Sequence, residues 1–85
     1  MFVSTTVELV RFKDLGNGDL QIQFAIDGQL APMIDEHKSS RERHRSDDEW
    51  FKSLARGSEL LLHLYGDARN PLTEDEILRR QERGF

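Results

Sequence analysis

The cations between residues 37 and 45 are the side chains best suited to chemistry, and that chemistry is phosphate binding. They are Lys38, Arg41, Arg43 and Arg45. Arginine and lysine contact phosphate oxygens without needing a fixed fold. The competing interpretation is a solvated segment whose arginines pair with nearby acids. We favour the solvated segment, because a nucleic-acid-binding domain is usually basic overall, whereas this chain has a formal net charge of −4.

The histidines could act as metal ligands or as bases. His37 and His44 are seven residues apart, and aspartates follow them in the sequence. No spacing typical of a zinc or calcium site supports this set. His63 and Asp67 could form an acid–base pair, but a histidine among apolar residues is more often structural. Because no nucleophile lies beside a base, we predict no metal, no cofactor and no enzymatic activity.

Trp50 and Phe51 are the residues best suited to anchor a protein partner, since aromatic side chains dominate binding hot spots. In a small domain, however, a single tryptophan more often belongs to the core. Neighbouring residues of a helix point about 100° apart. We therefore expect one of these two rings in the core and the other partly exposed.

The composition predicts one small domain, residues 1–85, with a segment outside its core. The chain is 36% hydrophobic and 33% charged, and it has no cysteine. A chain without disulfides is expected in a reducing compartment. No stretch resembles a signal peptide or approaches the roughly 18 apolar residues of a membrane span, so we expect a cytoplasmic protein. Residues 35–45 contain no apolar side chain and predict a mobile basic loop.

The N-terminal third predicts a β-hairpin. Apolar and polar residues alternate strictly from Leu20 to Ile26, as in a half-buried strand. The preceding segment, Val3–Lys13, is rich in β-branched residues, and its apolar alternation changes phase near Leu9. That change predicts a β-bulge. If the first strand lies at an edge, Thr5, Val7 and Leu9 could pair with another copy or with a partner by strand addition.

The loop of this hairpin decides which residues share a face. Asn17-Gly18 is typical of a two-residue turn, but that turn would set charged residues opposite apolar ones. A loop of odd length places Val10 and Phe12 on the same face as Ile22 and Phe24. Because a slip of one residue exchanges the two faces, we predict a loop of three or five residues with a glycine in the left-handed region.

The most apolar stretch, Trp50–Gly66, allows two interpretations. In the first, Ser46 and Glu49 cap a helix that ends at Arg56, with Gly57 as its left-handed stop. Residues 59–65 then form a strand that is covered on both faces. The backbone changes direction at residues 56–58, and the new strand joins the hairpin.

In the second interpretation one helix continues to Tyr65. This places Gly57 inside the helix at a cost of about 1 kcal/mol. It also leaves Leu60 and Leu64 off the apolar stripe and puts Ser58 on it. We therefore predict a helix over 46–56 followed by a strand.

The C-terminal segment predicts a second helix. Asn70-Pro71 ends the preceding element, because the residue before a proline disfavours helical backbone angles. Thr73 and Glu76 then form a capping box. Gly84 is the expected stop. Only Ile77 and Leu78 are apolar within this helix, so it packs lightly or meets a partner.

Together these elements predict an α+β fold of order β-β-α-β-α, a small antiparallel sheet packed against one or two helices. The expected function is a non-enzymatic protein-binding module, such as an adaptor, regulator or inhibitor, and its partner is another protein. The sequence suggests binding contributions from the four cations and from Trp50 and Phe51. Homodimerisation is a further option. The alternative is a nucleic-acid-associated regulator that uses residues 37–45 for phosphate contacts.

Overall fold

A computed structural model describes residues 5–83 and has an α+β fold with an N-terminal hairpin, as predicted. The strands are β1 (Val7–Asp14), β2 (Asp19–Ile26), β3 (Gln29–Leu30), β4 (Ile34–His37), β5 (Gly66–Asp67) and β6 (Asn70–Pro71). The helices are a 3₁₀ helix (Lys38–Arg43), α1 (Asp47–Tyr65) and α2 (Glu74–Arg83). Strands β1 to β4 form one antiparallel sheet, and β5 and β6 form a separate pair. Val3, within the predicted first strand, lies outside the described residues.

The predicted bulge in β1 is confirmed. The register between β1 and β2 shifts between Leu9 and Arg11, so Val10 is the extra residue. Leu9 is the residue that pairs with Phe24, whereas we expected Val10 to share the face of Phe24. The bulge thus keeps apolar residues of β1 on the core face of the sheet on both sides of the shift.

The loop between β1 and β2 has the predicted odd length. Asp14 and Leu20 are the last paired residues, so residues 15–19 close the hairpin. Gly16 and Gly18 have φ angles of 85° and 92°, which glycine adopts without steric cost. As a result Phe12 lies opposite Ile22, as predicted from the apolar pattern.

Helix α1 corrects our interpretation of the central stretch. It runs without a break from Asp47 to Tyr65, so the strand predicted over residues 59–65 is wrong. Ser46 caps the helix as expected, and its side chain accepts a hydrogen bond from the N–H of Glu49 at 3.1 Å. The turn predicted at residues 56–58 lies inside the helix.

The helix continues past Gly57 because its stripe of contacts continues. Ser58 is fully buried, while Leu60 is 55% exposed, which is the pattern that we took as evidence against one helix. The left-handed stop is Gly66, with φ 82° and an N–H that donates to Leu62 O. A Cβ on Gly57 would meet nothing within 4 Å, so this glycine has a cost in helix propensity and no role in a turn.

The core lies between α1 and strand β2. It consists of Leu20, Ile22, Phe24, Ile26, Trp50 and Leu54. The four β2 members alternate along the strand, and the two helix members are one turn apart. Ser58 lies one turn further, and its hydroxyl is buried without a hydrogen-bond partner.

The segment predicted as a mobile basic loop has secondary structure over most of its length. Strand β4 extends to His37, and the 3₁₀ helix follows directly. The His37 imidazole accepts a hydrogen bond from the N–H of Ser39 at 3.2 Å and so caps the 3₁₀ helix. Ser40 is buried. The mobility of this segment stays a prediction.

Helix α2 begins at the predicted capping box. Thr73 Oγ1 donates to Glu76 Oε1 at 2.9 Å and accepts from the Glu76 N–H at 3.3 Å. The Glu76 carboxylate accepts hydrogen bonds from Thr73 Oγ1 and from the Thr73 N–H, and these two bonds, the hydroxyl first, lower the pKa of Glu76. Ile77 is half-buried, and Leu78 is 56% exposed. The predicted stop, Gly84, lies outside the described residues.

Candidate functional site

Lys38 connects the basic segment to the end of β1. Its Nζ lies 2.6 Å from Asp14 Oδ2, and its backbone N–H donates to Gly18 O at 2.8 Å. Asp14 Oδ1 also accepts a hydrogen bond from the N–H of Gly16. The pKa of Asp14 is lowered, first by the hydrogen bond from Lys38 and then by that from Gly16. The charge of Lys38 is therefore engaged within the protein.

The other three cations of the segment differ in their surroundings. Arg41 pairs through Nε with Asp47, and its Nη1 donates to His44 O at 2.8 Å. Arg43 and Arg45 are exposed, and neither forms an ion pair within residues 5–83. Two of the four predicted phosphate contacts thus have internal partners, and two do not.

Trp50 lies in the core, and its indole is fixed by a buried hydrogen bond. It is 7% exposed, and its Nε1 donates to Ser40 Oγ at 2.9 Å. The ring also makes an edge-to-face contact with Phe12 at 6.5 Å between centroids. Phe51 is half-buried, 5.3 Å from Trp50 and 5.9 Å from Phe12. Of the two predicted anchors, only Phe51 borders the surface.

An apolar groove of about 570 Å³ lies between β1 and α1. It exists because α1 packs over β2, which leaves the neighbouring strand β1 partly uncovered. Its apolar lining residues are Val7, Leu9, Phe24, Phe51 and Ala55. Its rim is polar and charged, with Thr5, Asp48, Lys52, Arg56 and Glu59. Lys52 and Asp48 form an ion pair at 3.1 Å. An apolar floor with a charged rim is the usual anatomy of a protein-binding surface.

Strand β1 also presents a free edge beside this groove. Within residues 5–83 its one strand partner is β2, so the backbone groups on its other side have no strand to bond. All eight residues of β1 are exposed. Val7, Leu9 and Phe12 on its inner face are 46%, 45% and 46% exposed. An uncovered edge with apolar side chains is a template for another strand.

Sequence reasoning identified this edge but missed the groove. Thr5, Val7 and Leu9 were recognised from the β-rich pattern. The helix side of the groove, which includes Lys52, Ala55 and Arg56, depends on where α1 crosses the sheet. No local pattern in the sequence predicts that crossing.

The groups that could support catalysis or metal binding are engaged structurally or are dispersed. Among residues 5–83, no cluster of three or more His, Cys, Asp or Glu side chains could hold a metal ion. Asp67 accepts hydrogen bonds from the Arg69 guanidinium and backbone, and from the N–H of Leu30 at 3.3 Å. These contacts, led by the Arg69 side chain, lower the pKa of Asp67 strongly. Its carboxylate thus joins the β5–β6 pair to β3.

No helix within residues 5–83 has the length and apolarity needed to cross a membrane. No protein-family model matches this chain, and no curated protein or solved structure is significantly similar to it. A functional argument therefore depends on the geometry of the groove and of the β1 edge.

Proposed function

We propose that this protein is a non-enzymatic protein-binding module, an adaptor, regulator or inhibitor, that binds an extended segment of another chain along β1. The incoming strand would pair with the free edge of β1, and its side chains would enter the groove. The observation that carries this proposal is the uncovered inner face of β1. Three of its apolar side chains remain nearly half exposed beside a backbone edge that has no strand partner within residues 5–83.

Strand addition at β1 is favoured energetically over phosphate binding by the basic segment. Main-chain hydrogen bonds supply affinity in strand addition, and apolar pockets supply specificity. Phe51 lines the groove and offers an aromatic anchor. Phosphate binding, by contrast, would have to use Arg43 and Arg45 alone or break the internal contacts of Lys38 and Arg41.

The test is partner capture with a matched pair of variants. Leu9→Lys places a charge on the inner face of β1, whereas Leu78→Lys makes the same change at an exposed position of α2. We expect proteins captured by the wild type and by Leu78→Lys to be lost with Leu9→Lys. Proteins identified by mass spectrometry that bind all three forms equally would contradict the proposal.

The alternative, a nucleic-acid-associated regulator, has its own test. Under that alternative a mixed-sequence duplex binds with an affinity that falls steeply with salt. Replacing Arg43 and Arg45 with alanine would abolish binding without removing an internal ion pair. We expect no mobility shift of the duplex at physiological salt, with the wild type or with the variant.

A further inference from the structure

We infer that the partner of β1 is a second copy of this chain, whose own β1 pairs with it in antiparallel orientation. This inference rests on the proposed function, because it uses the same edge and the same groove. A two-fold dimer uses one surface patch twice, so that patch must complement itself. The two four-stranded sheets would become one continuous sheet, with both copies of α1 on the same face.

The outer face of β1 carries its charges in an order that complements itself. Glu8 lies in the first half of the strand, and Arg11 and Lys13 lie in the second half. Within residues 5–83, none of these three side chains forms an ion pair. Antiparallel pairing of two identical strands brings the first half of one against the second half of the other. Each acid then meets a base, whereas parallel pairing would set like charges side by side.

The bulge makes this arrangement consistent on both faces of the sheet. With the two-fold axis at the bulge, Glu8 lies opposite Arg11 of the second copy, and Val7 lies opposite Phe12 of the second copy. Opposed residues then share a face, because the bulge changes the phase of the strand at its centre. Moving the axis by one residue puts Glu8 opposite Lys13 and preserves the charge match.

Helix α1 does not obstruct this pairing. It lies over β2, so the two helices would be separated by three strand spacings, or about 14 Å. Closely packed helices are separated by about 8–10 Å. The two grooves would therefore join into one trough above the paired strands. The apolar floor of each groove would gain the side chains of the other copy as neighbours.

A bulge and an edge lysine also occur in strands that are protected from pairing. Such protection depends on charges that an incoming strand cannot neutralise. On β1 both signs are present, and an identical strand neutralises both. The charges of β1 therefore disfavour pairing with strands of a different charge pattern and favour pairing with the β1 of a second copy.

The experiment is a charge swap on β1, measured by sedimentation equilibrium of the full-length protein. Glu8→Lys makes the outer face wholly basic, and Arg11→Glu combined with Lys13→Glu makes it wholly acidic. We expect the wild type to be a dimer. Each variant alone should dimerise at least about tenfold more weakly, because two pairs of like charges then face each other in every dimer. Mixed in equal amounts, the two variants are expected to form a heterodimer at least as tight as the wild-type dimer.

Control variants make the same charge changes on α2. They are Glu82→Lys, and Arg79→Glu combined with Arg83→Glu, at exposed positions. They should dimerise like the wild type and should not pair preferentially when mixed. Recovery of a dimer on mixing the β1 variants shows that both are folded, so loss of dimerisation cannot be attributed to unfolding.

Two outcomes would overturn the homodimer. One is a wild type that is monomeric at every concentration reached, and the other is a dimer that ignores the charge swap. If the monomer still captures a protein in a manner that Leu9→Lys abolishes, the proposed function stands and only the second copy is excluded. A monomer without such capture would overturn both proposals.

Discussion

Strands β1 and β2 are partners in one hairpin and have eight residues each, yet their surroundings differ completely. Every residue of β1 is exposed, whereas alternate residues of β2 are buried. Apolar content does not explain the difference, because Val7, Leu9 and Phe12 lie on the same face as the buried residues of β2. The position of α1 explains it. The helix covers the middle of the sheet and stops short of its edge.

This comparison separates two properties that sequence patterns are often taken to predict together. Alternation shows which side of a strand faces inward. Whether that side is covered depends on an element distant in the sequence. A strand with a core pattern and no cover is therefore a natural place for another chain, and this is the basis of the function proposed for β1.

The largest effect should come from the buried member of a matched pair of truncations. Ile22→Ala removes a fully buried side chain of β2 and should cost about 3 kcal/mol of unfolding free energy. Leu9→Ala in β1, where the side chain is 45% exposed, should cost less than about 1 kcal/mol. Urea denaturation at protein concentrations where the chain is monomeric measures both. Equal costs in the monomer would mean that its groove is closed and would remove the contrast between the strands.

Phe12 should be the exception within β1. Its ring contacts Trp50 and Phe51, so it is the point where the inner face of β1 meets the helix. Phe12→Ala should destabilise the protein by about 2 kcal/mol. Val10→Ala, at the bulge and 52% exposed, should cost less than about 0.5 kcal/mol. Similar melting temperatures for these two variants would contradict the aromatic contact.

The loop between the strands offers a smaller and more local test. Gly16 and Gly18 both have positive φ, so alanine at either position is strained. A Cβ at Gly18 would also lie 2.6 Å from His37 Nε2, whereas one at Gly16 would meet nothing within 4 Å. Gly18→Ala should therefore cost about 1 kcal/mol more than Gly16→Ala. Adding His37→Ala to both variants should remove that excess, and its persistence would exclude the contact as the cause.

The smallest effect is a pH dependence at the end of β1. Hydrogen bonding to Lys38 lowers the pKa of Asp14 in the folded state from its ordinary value of 3.8. The stabilisation is complete above that value and is lost as the pH falls from it through the lowered folded-state pKa. The melting temperature of Lys38→Ala should therefore lie below that of the wild type near neutral pH. The two should converge in acid, and a constant difference would argue against this ion pair.

Local patterns were sufficient for the hairpin and for the starts of α1 and α2. The bulge near Leu9, the odd loop and the Thr73 capping box depend on residues close together in the sequence. The α+β class followed from the hairpin and from two capping boxes. In each case neighbouring residues determine the geometry.

The end of α1 could not be predicted in this way. Gly57 and Gly66 both resemble helix stops, and local propensity does not distinguish them. Tertiary packing does, because Ser58 is buried and extends the buried stripe of Trp50 and Leu54 by one turn. In the sequence, this small polar residue counted against a continuous helix.

The secondary structure of the basic segment was not predicted, for a similar reason. Ser40 has no apolar neighbours in the sequence, yet it is buried, because its hydroxyl accepts the indole hydrogen bond of Trp50. A contact between residues ten positions apart cannot be derived from composition. The groove likewise arises only when α1 is placed on the sheet.

The hydrogen bond between Trp50 and Ser40 has a practical consequence. Trp50 is the only tryptophan of the chain, so fluorescence excited at wavelengths that tyrosine does not absorb reports on one environment. Separation of the 3₁₀ helix from α1 would wet the indole and shift its emission to the red. A strand that docks on β1 and leaves this contact intact would leave the spectrum in place. The emission wavelength therefore distinguishes separation of the 3₁₀ helix from α1 from the binding of a strand to β1.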